Sequence, residues 1–109
     1  MAGLHDPLGG RTLALLHQDI AVTWTLQKLA QRVGASRSTL AEHFTQVVGL
    51  PSMQYLTRWR MQVAANRWRD RTVKVYAVAN EVGYDSEEAF SRAFKRVVGS
   101  TPREWRGDT

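Results

Sequence analysis

The sequence predicts an all-α fold of about seven helices, on three observations. Apolar residues recur at helical rather than alternating spacing through most of the chain. Glycines and prolines are sparse and fall between those stretches, where turns belong. Two stretches repeat each other in register, each reading as a short helix, a tight turn and a longer helix. At 109 residues the chain has the length of about one domain.

Each element has a local reason. Asp6 is placed to cap a first helix with Pro7 at its first position, where a missing N–H costs nothing. That helix runs to about Gln18, with Leu8, Leu13, Leu15, Leu16 and, just beyond it, Ile20 available to the core. Gly9 and Gly10 weaken its start by roughly 1 kcal/mol each against Ala. Thr25 caps a short second helix, Leu26 to Val33, which ends at Gly34. Ser36 caps a third, Arg37 to Val48, which stops at Gly49. Pro51 opens a fourth, about Ser52 to Asp70, with Tyr55, Leu56, Trp59, Met61, Ala64, Ala65 and Trp68 as packing candidates. Thr72 caps a fifth that ends at Gly83. The stretch from Val73 to Val78 alternates briefly, but Ala77, Val78 and Val82 continue it better as a helix. Asp85 and Glu88 form a capping-box pattern for a sixth, Ser86 to Val98, closed by Gly99. Thr101 and Glu104 form another for a last short helix that begins on Pro102.

The repeat is carried by matched residues. Ala30, Val33 and Gly34 answer Ala79, Val82 and Gly83, and Ser36, Phe44, Val47, Val48 and Gly49 answer Ser86, Phe94, Val97, Val98 and Gly99. A one-residue slip lies in the turn, where insertions are tolerated. Two copies are too few for a solenoid. The expected organisation is a subdomain over 1–50, a linking helix over 51–71 and a second subdomain over 72–109.

Composition removes several function classes. There is no cysteine, which excludes disulfides, a zinc–thiolate site and a cysteine nucleophile. No His pair stands at metal spacing, and there is no P-loop and no dinucleotide fingerprint. The only paired carboxylates, Glu87 and Glu88, are neighbours that point about 100° apart on a helix. An enzyme is not expected, nor a metal or cofactor. No apolar run reaches ~18 residues, so no membrane span is expected. Residues 1–6 lack a basic region and an apolar core, so no signal peptide is expected and a cytoplasmic protein is the default. Lys and Arg number 15 against 10 Asp and Glu, a net charge of +5. The sequence pI is ≈ 10.2, the electrostatic footprint of a nucleic-acid binder.

A short helix, a Gly-bearing turn and a longer helix make a helix-turn-helix pattern. Small Ala30 and Ala79 let the paired helices approach, and Leu40 with Phe44, or Phe90 with Phe94, anchor one face of each longer helix. The opposite face is left to enter a DNA major groove. A linking helix of ~19 residues would span about 28 Å, close to the ~34 Å between successive major grooves.

The chain resembles the DNA-binding domain of the AraC/XylS family of bacterial transcription regulators. The resemblance rests on Leu26-Gln-Lys-Leu-Ala-Gln-Arg-Val-Gly-Ala-Ser with Leu40 and Phe44, and on the run from Gly49 to Met61. In the second half it rests on Val78-Ala-Asn-Glu-Val-Gly-Tyr-Asp-Ser, Phe90-Ser-Arg-Ala-Phe-Lys and Gly99-Ser-Thr-Pro-Arg-Glu-Trp-Arg. It covers about residues 6–106 and implies two homeodomain-like helix-turn-helix units joined by a long helix. It also implies sequence-specific duplex binding, with the second helix of each unit reading bases.

Carried onto this sequence, the resemblance places a first reading face at Arg37, Ser38, Ala41 and Glu42. Arg37 suits either a bidentate contact to guanine or a phosphate clamp. Ala41 offers only a methyl contact to thymine, and Glu42 either accepts from cytosine N4 or faces solvent. His43, one residue off that face, reads as a partly packed surface histidine. A second reading face is Glu87, Glu88, Ser91 and Arg92, with Lys95 beside it. Glu87 and Glu88 also suit the first turn of any helix, where the dipole favours acids, and Glu88 reads better that way. Arg92 suits a base or a phosphate. The expected phosphate contacts are Thr25, Ser36, Thr39, Arg58, Lys74, Ser86, Lys95 and Arg96, with Arg103 as a further candidate. Among Arg58, Arg60, Arg67, Arg69 and Arg71, at most two are expected to touch DNA. Trp24 and Trp105 are expected as core seals, and Trp59, Trp68, Tyr55, Tyr76 and Tyr84 as core rather than base-stacking platforms. The first unit is expected to be the stronger reader.

The expected partner is double-stranded DNA. RNA polymerase is a candidate second partner, and a sensing or dimerisation domain absent from this chain is expected to precede it in a longer protein. The alternative is a helical protein–protein interaction module that reads no DNA.

Overall fold

The computed structural model describes residues 7–107, which form seven helices and no strand. Asp6, the expected first cap, lies outside the described residues. The chain divides into two compact units, one ending at Leu56 and the other beginning at Thr57.

The first unit holds α1 (Pro7–Gln18), α2 (Leu26–Val33), α3 (Arg37–Val48) and the start of α4 (Ser52–Arg67). Thr25 caps α2 by accepting from the Lys28 amide at 3.0 Å. Gly34 ends α2 at φ 73°, a left-handed value that a side chain would strain, and so frees the chain to turn into α3. Leu16, Leu29, Leu40 and Phe44 are fully buried, with Trp24, Ala30, Val33 and Leu56 nearly so. Leu8, Leu13 and Leu15 pack against this cluster as expected but stay partly exposed, because one helix presents one stripe to the core, and Ile20, beyond α1, is also half-buried. Gly9 has a packing role that its helix propensity hides. A Cβ there would stand 2.8 Å from Val47 Cγ2, so the absent side chain is what lets α1 lie against α3. Thr12, buried beside it, satisfies its hydroxyl by donating to the Leu8 carbonyl at 2.8 Å. The Trp24 indole donates to the Asp19 carbonyl at 2.9 Å, closing the α1–α2 loop over the core.

The second unit holds the remainder of α4, then α5 (Val75–Glu81), α6 (Glu87–Val98) and α7 (Pro102–Arg106). Its core is aromatic. Trp68 meets Phe90 and Phe94 edge-on at 5.8 and 5.5 Å, and Tyr84 meets Phe90 edge-on at 5.5 Å. Met61, Val78 and Val82 fill the space between helices.

Several expected boundaries move. α4 ends at Arg67 rather than near Asp70. Trp68, Arg69 and Asp70 donate to the carbonyls three residues back, which tightens the last turn and carries the Trp68 ring into the core. Thr72 does not cap α5. Its amide and hydroxyl both donate to Asp70 Oδ1, at 3.0 and 2.6 Å, and Lys74 stands at the cap position with no side-chain bond. α6 is capped by Ser86, which accepts from the Ala89 amide at 3.1 Å, and not by Asp85. The capping box at Thr101 and Glu104 is present in full. Two aromatics expected in the core are exposed: Tyr76 at 58% and Trp105 at 50%.

Candidate nucleic-acid interface

The site in the first unit begins with how α3 is held. Leu40 and Phe44, four residues apart, are fully buried on one face. That rotation turns Arg37, Ser38, Thr39 and Glu42 to solvent, with Ala41 half-buried at the edge. The amides of the first turn are open to an anion except where Ser36 caps them: its Oγ accepts from the Thr39 amide at 3.2 Å and donates to Thr39 Oγ1 at 2.9 Å. No acid stands in the first turn of α3, so its positive dipole end is not offset there. The sequence-predicted residues of this face therefore come together on one helix end, and His43 is half-buried as expected.

At the start of α2, Thr25 is exposed and engaged in its cap. Lys28 was not singled out from the sequence. Its Nζ donates to the Thr23 carbonyl at 3.0 Å, which holds a cation at the same helix end. The signal that could have found it is its place three residues after a capping threonine.

The second unit repeats the geometry with different electrostatics. Phe90, Ala93 and Phe94 are buried, which leaves Glu88, Arg92, Lys95 and Arg96 exposed and Glu87 and Ser91 half-buried. Both Glu87 and Glu88 stand in the first turn of α6. Glu87 lies 3.6 Å from Arg103 Nη2, so an expected reading residue and a further phosphate candidate face each other. Ser86 caps the helix as Ser36 does. Lys74 is exposed at the start of α5.

The arginines of α4 and of the turn after it separate into two groups. Arg67 forms a bidentate pair with Glu81, at 2.7 and 3.0 Å, which ties α4 to α5 and holds the Glu81 carboxyl below its ordinary range. Arg60 lies over the Tyr84 ring at 5.6 Å, and burial lowers its pKa from the usual arginine value while raising that of Tyr84. Arg58, Arg69 and Arg71 stay exposed. Among the described residues no helix is long and apolar enough to cross a membrane, and no group of His, Asp and Glu could hold a metal ion.

Comparison with known proteins agrees with this geometry. The family described as "Helix-turn-helix domain" matches residues 29–108. A protein of Streptomyces antibioticus named "Putative AraC-like transcription regulator" is 45% identical over 106 residues, which is 97% of this chain and 35% of that protein. The chain thus spans about a third of the length of this relative and of several others that it matches. Among solved structures, the C-terminal domain of AraT, a response regulator from Geobacillus stearothermophilus, superposes with a TM-score of 0.90 at 27% identity, over 95% of this chain and 87% of that one. The DNA-binding domain of the global transcriptional factor AdpA, solved in complex with a target DNA, superposes with a TM-score of 0.85 at 27% identity, over 94% and 91%. The chain belongs to the AraC-type family of helix-turn-helix DNA-binding domains of transcription regulators.

Proposed function

We propose that this domain binds duplex DNA by sequence, with α3 as the main reader and α6 as the weaker one. The observation that carries the reading is the first turn of α3. It presents Arg37, Ser38 and Thr39 to solvent from a helix end without acids, while Leu40 and Phe44 fix its rotation. Arg37, Ser38, Ala41 and Glu42 are the proposed base contacts, with Thr25, Ser36 and Thr39 gripping phosphate through hydroxyls and helix-end amides. In the second unit Ser91 and Arg92 are the proposed base contacts, and Lys74, Ser86 and Lys95 meet the backbone. Glu87 reaches DNA only if it leaves Arg103, and it sits where acids repel phosphate. In the whole regulator, RNA polymerase and a sensing or dimerisation domain are the proposed protein partners.

Anisotropy titrations of labelled duplexes test this. A domain making ~6–10 phosphate contacts loses ~10³–10⁵ in affinity between 50 and 200 mM salt. Arg37→Ala is expected to cost ~1–3 kcal/mol on the preferred site and little on other sequences. An equal loss on every duplex would move Arg37 to the phosphate contacts. No duplex binding at low salt would overturn the proposal.

A further inference from the structure

We propose that the second unit carries a docking groove for a protein segment that is acidic and apolar at once. The groove runs beside α4, α6 and α7 and encloses about 610 Å³. Val97 and Trp105 give it exposed apolar surface, Gln62, Asn66, Arg58 and Arg96 line it as polar side chains, and no carboxylate does.

Three observations favour a protein segment over bare DNA backbone. First, Val97 is 39% and Trp105 50% exposed, so large apolar side chains face solvent in one concavity. A phosphate contact leaves such a surface wet, whereas a Leu or Phe from a partner covers it. Second, Trp105 is already ordered. Its indole donates to the Ala65 carbonyl at 3.5 Å and its ring stands edge-on to Phe94 at 6.2 Å. A half-exposed ring held on two sides loses little freedom on binding, which is what interface anchors share. Third, two arginines and no carboxylate share the lining with these exposed apolar side chains, which suits a segment that brings both carboxylates and a large apolar residue. Arg58 and Arg96 were expected from the sequence to hold phosphate; here they are given to this segment instead.

The probe is a library of random 15-residue peptides, displayed and selected against the full chain at physiological salt. Enriched peptides are expected to combine Asp or Glu with a central Leu, Phe or Trp. Trp105→Ala and, independently, Val97→Glu are expected to weaken the selected peptides by about tenfold or more. Both variants should keep duplex affinity within about twofold and give the wild-type circular dichroism spectrum. Val97→Glu serves as the second variant because Trp105→Ala removes packing from Phe94. Four outcomes would overturn the proposal. One is no enrichment. A second is peptide binding that Val97→Glu leaves intact. A third is self-association of the chain that Val97→Glu abolishes, which would make a second copy the occupant. The last is a duplex that displaces the peptides, with Arg58→Ala and Arg96→Ala each cutting the salt slope of duplex binding by about one, which would return the groove to DNA backbone.

Discussion

The first unit closes its core mostly with aliphatic side chains around Phe44 and Trp24, whereas the second brings Trp68, Tyr84, Phe90 and Phe94 into one aromatic cluster. The helix that follows each turn differs as well. α3 begins Arg-Ser-Thr and α6 begins Glu-Glu-Ala. Both differences stand on a shared frame: a serine cap, a small alanine in the first helix and an aromatic at the same place in the second. The frame thus sets where the second helix of each unit sits, and the residues on its outer face decide what that helix can approach. Acids that strengthen α6 as a helix weaken it as a partner for phosphate. α3 gives up that stabilisation and keeps a positive end.

The largest expected effect lies in the cores. Phe94 meets the rings of Phe90, Trp68 and Trp105, while Phe44 meets Tyr55 at 5.8 Å. Phe94→Ala should cost about 3–5 kcal/mol and exceed Phe44→Ala, since each aromatic pair adds ~0.5–1.5 kcal/mol beyond burial. Amide exchange resolved by residue checks this. Equal costs would mean that the ring contacts add nothing to burial.

The α1–α3 contact of the first unit comes next. Gly9→Leu must displace Val47 and should destabilise by about 1–3 kcal/mol. Gly10→Ala meets nothing within 4 Å and should stabilise by up to ~1 kcal/mol. Thermal melts of the two variants should move in opposite directions. A rise for Gly9→Leu as well would show that α1 tolerates a side chain against α3.

Acid separates the units more gently. The carboxyls of Asp70, Glu81 and Glu104 are held below their ordinary range, by the Thr72 hydroxyl and amide, by Arg67 and by the Thr101 amide respectively. All three lie in the second unit. A carboxyl whose folded pKa is depressed contributes stability above its unfolded pKa and loses it as the pH falls through the folded value. Exchange protection in the second unit should therefore fall first as the pH is lowered below about 4. Glu81→Gln should remove part of that dependence, with only a small loss at neutral pH because the pair is exposed. Protection that falls together in both units would contradict this assignment.

The smallest effect sharpens the electrostatic contrast. Glu88→Gln should tighten binding to all duplexes slightly and lower helix stability by ~0.3–1 kcal/mol. Weaker binding on one sequence alone would instead make Glu88 a base contact.

Much of this was legible in the sequence, for a physical reason. Caps and turns are local, so Thr25, Gly34, Ser36, Gly49, Thr101 and Gly99 mark their helix ends from the residues alone. The buried face of α3 follows from the spacing of Leu40 and Phe44. What escaped depends on contacts distant in sequence. Gly9 looks like a defect until Val47 is beside it. Trp68 reads as part of α4 until the turn tightens and the core claims it. Trp105 and Tyr76 are large and apolar, yet the core near them is already filled and they stay outside. Arg67 reads as one more basic residue, and only the fold brings Glu81 to it. Exposure and helix ends show which polar residues are available to DNA, but composition alone does not rank them.

We propose α3 as the main reader of bases and α6 as the lesser one. The most direct test is selection of bound duplexes from a randomised library, run in parallel for the unaltered chain, Arg37→Ala and Arg92→Ala, with sequencing of each bound pool. The expected pool holds a strongly enriched segment that Arg37→Ala erases and a weaker one that Arg92→Ala erases. A pool that Arg37→Ala leaves unchanged, or a pool with no enriched sequence at all, would contradict the proposal.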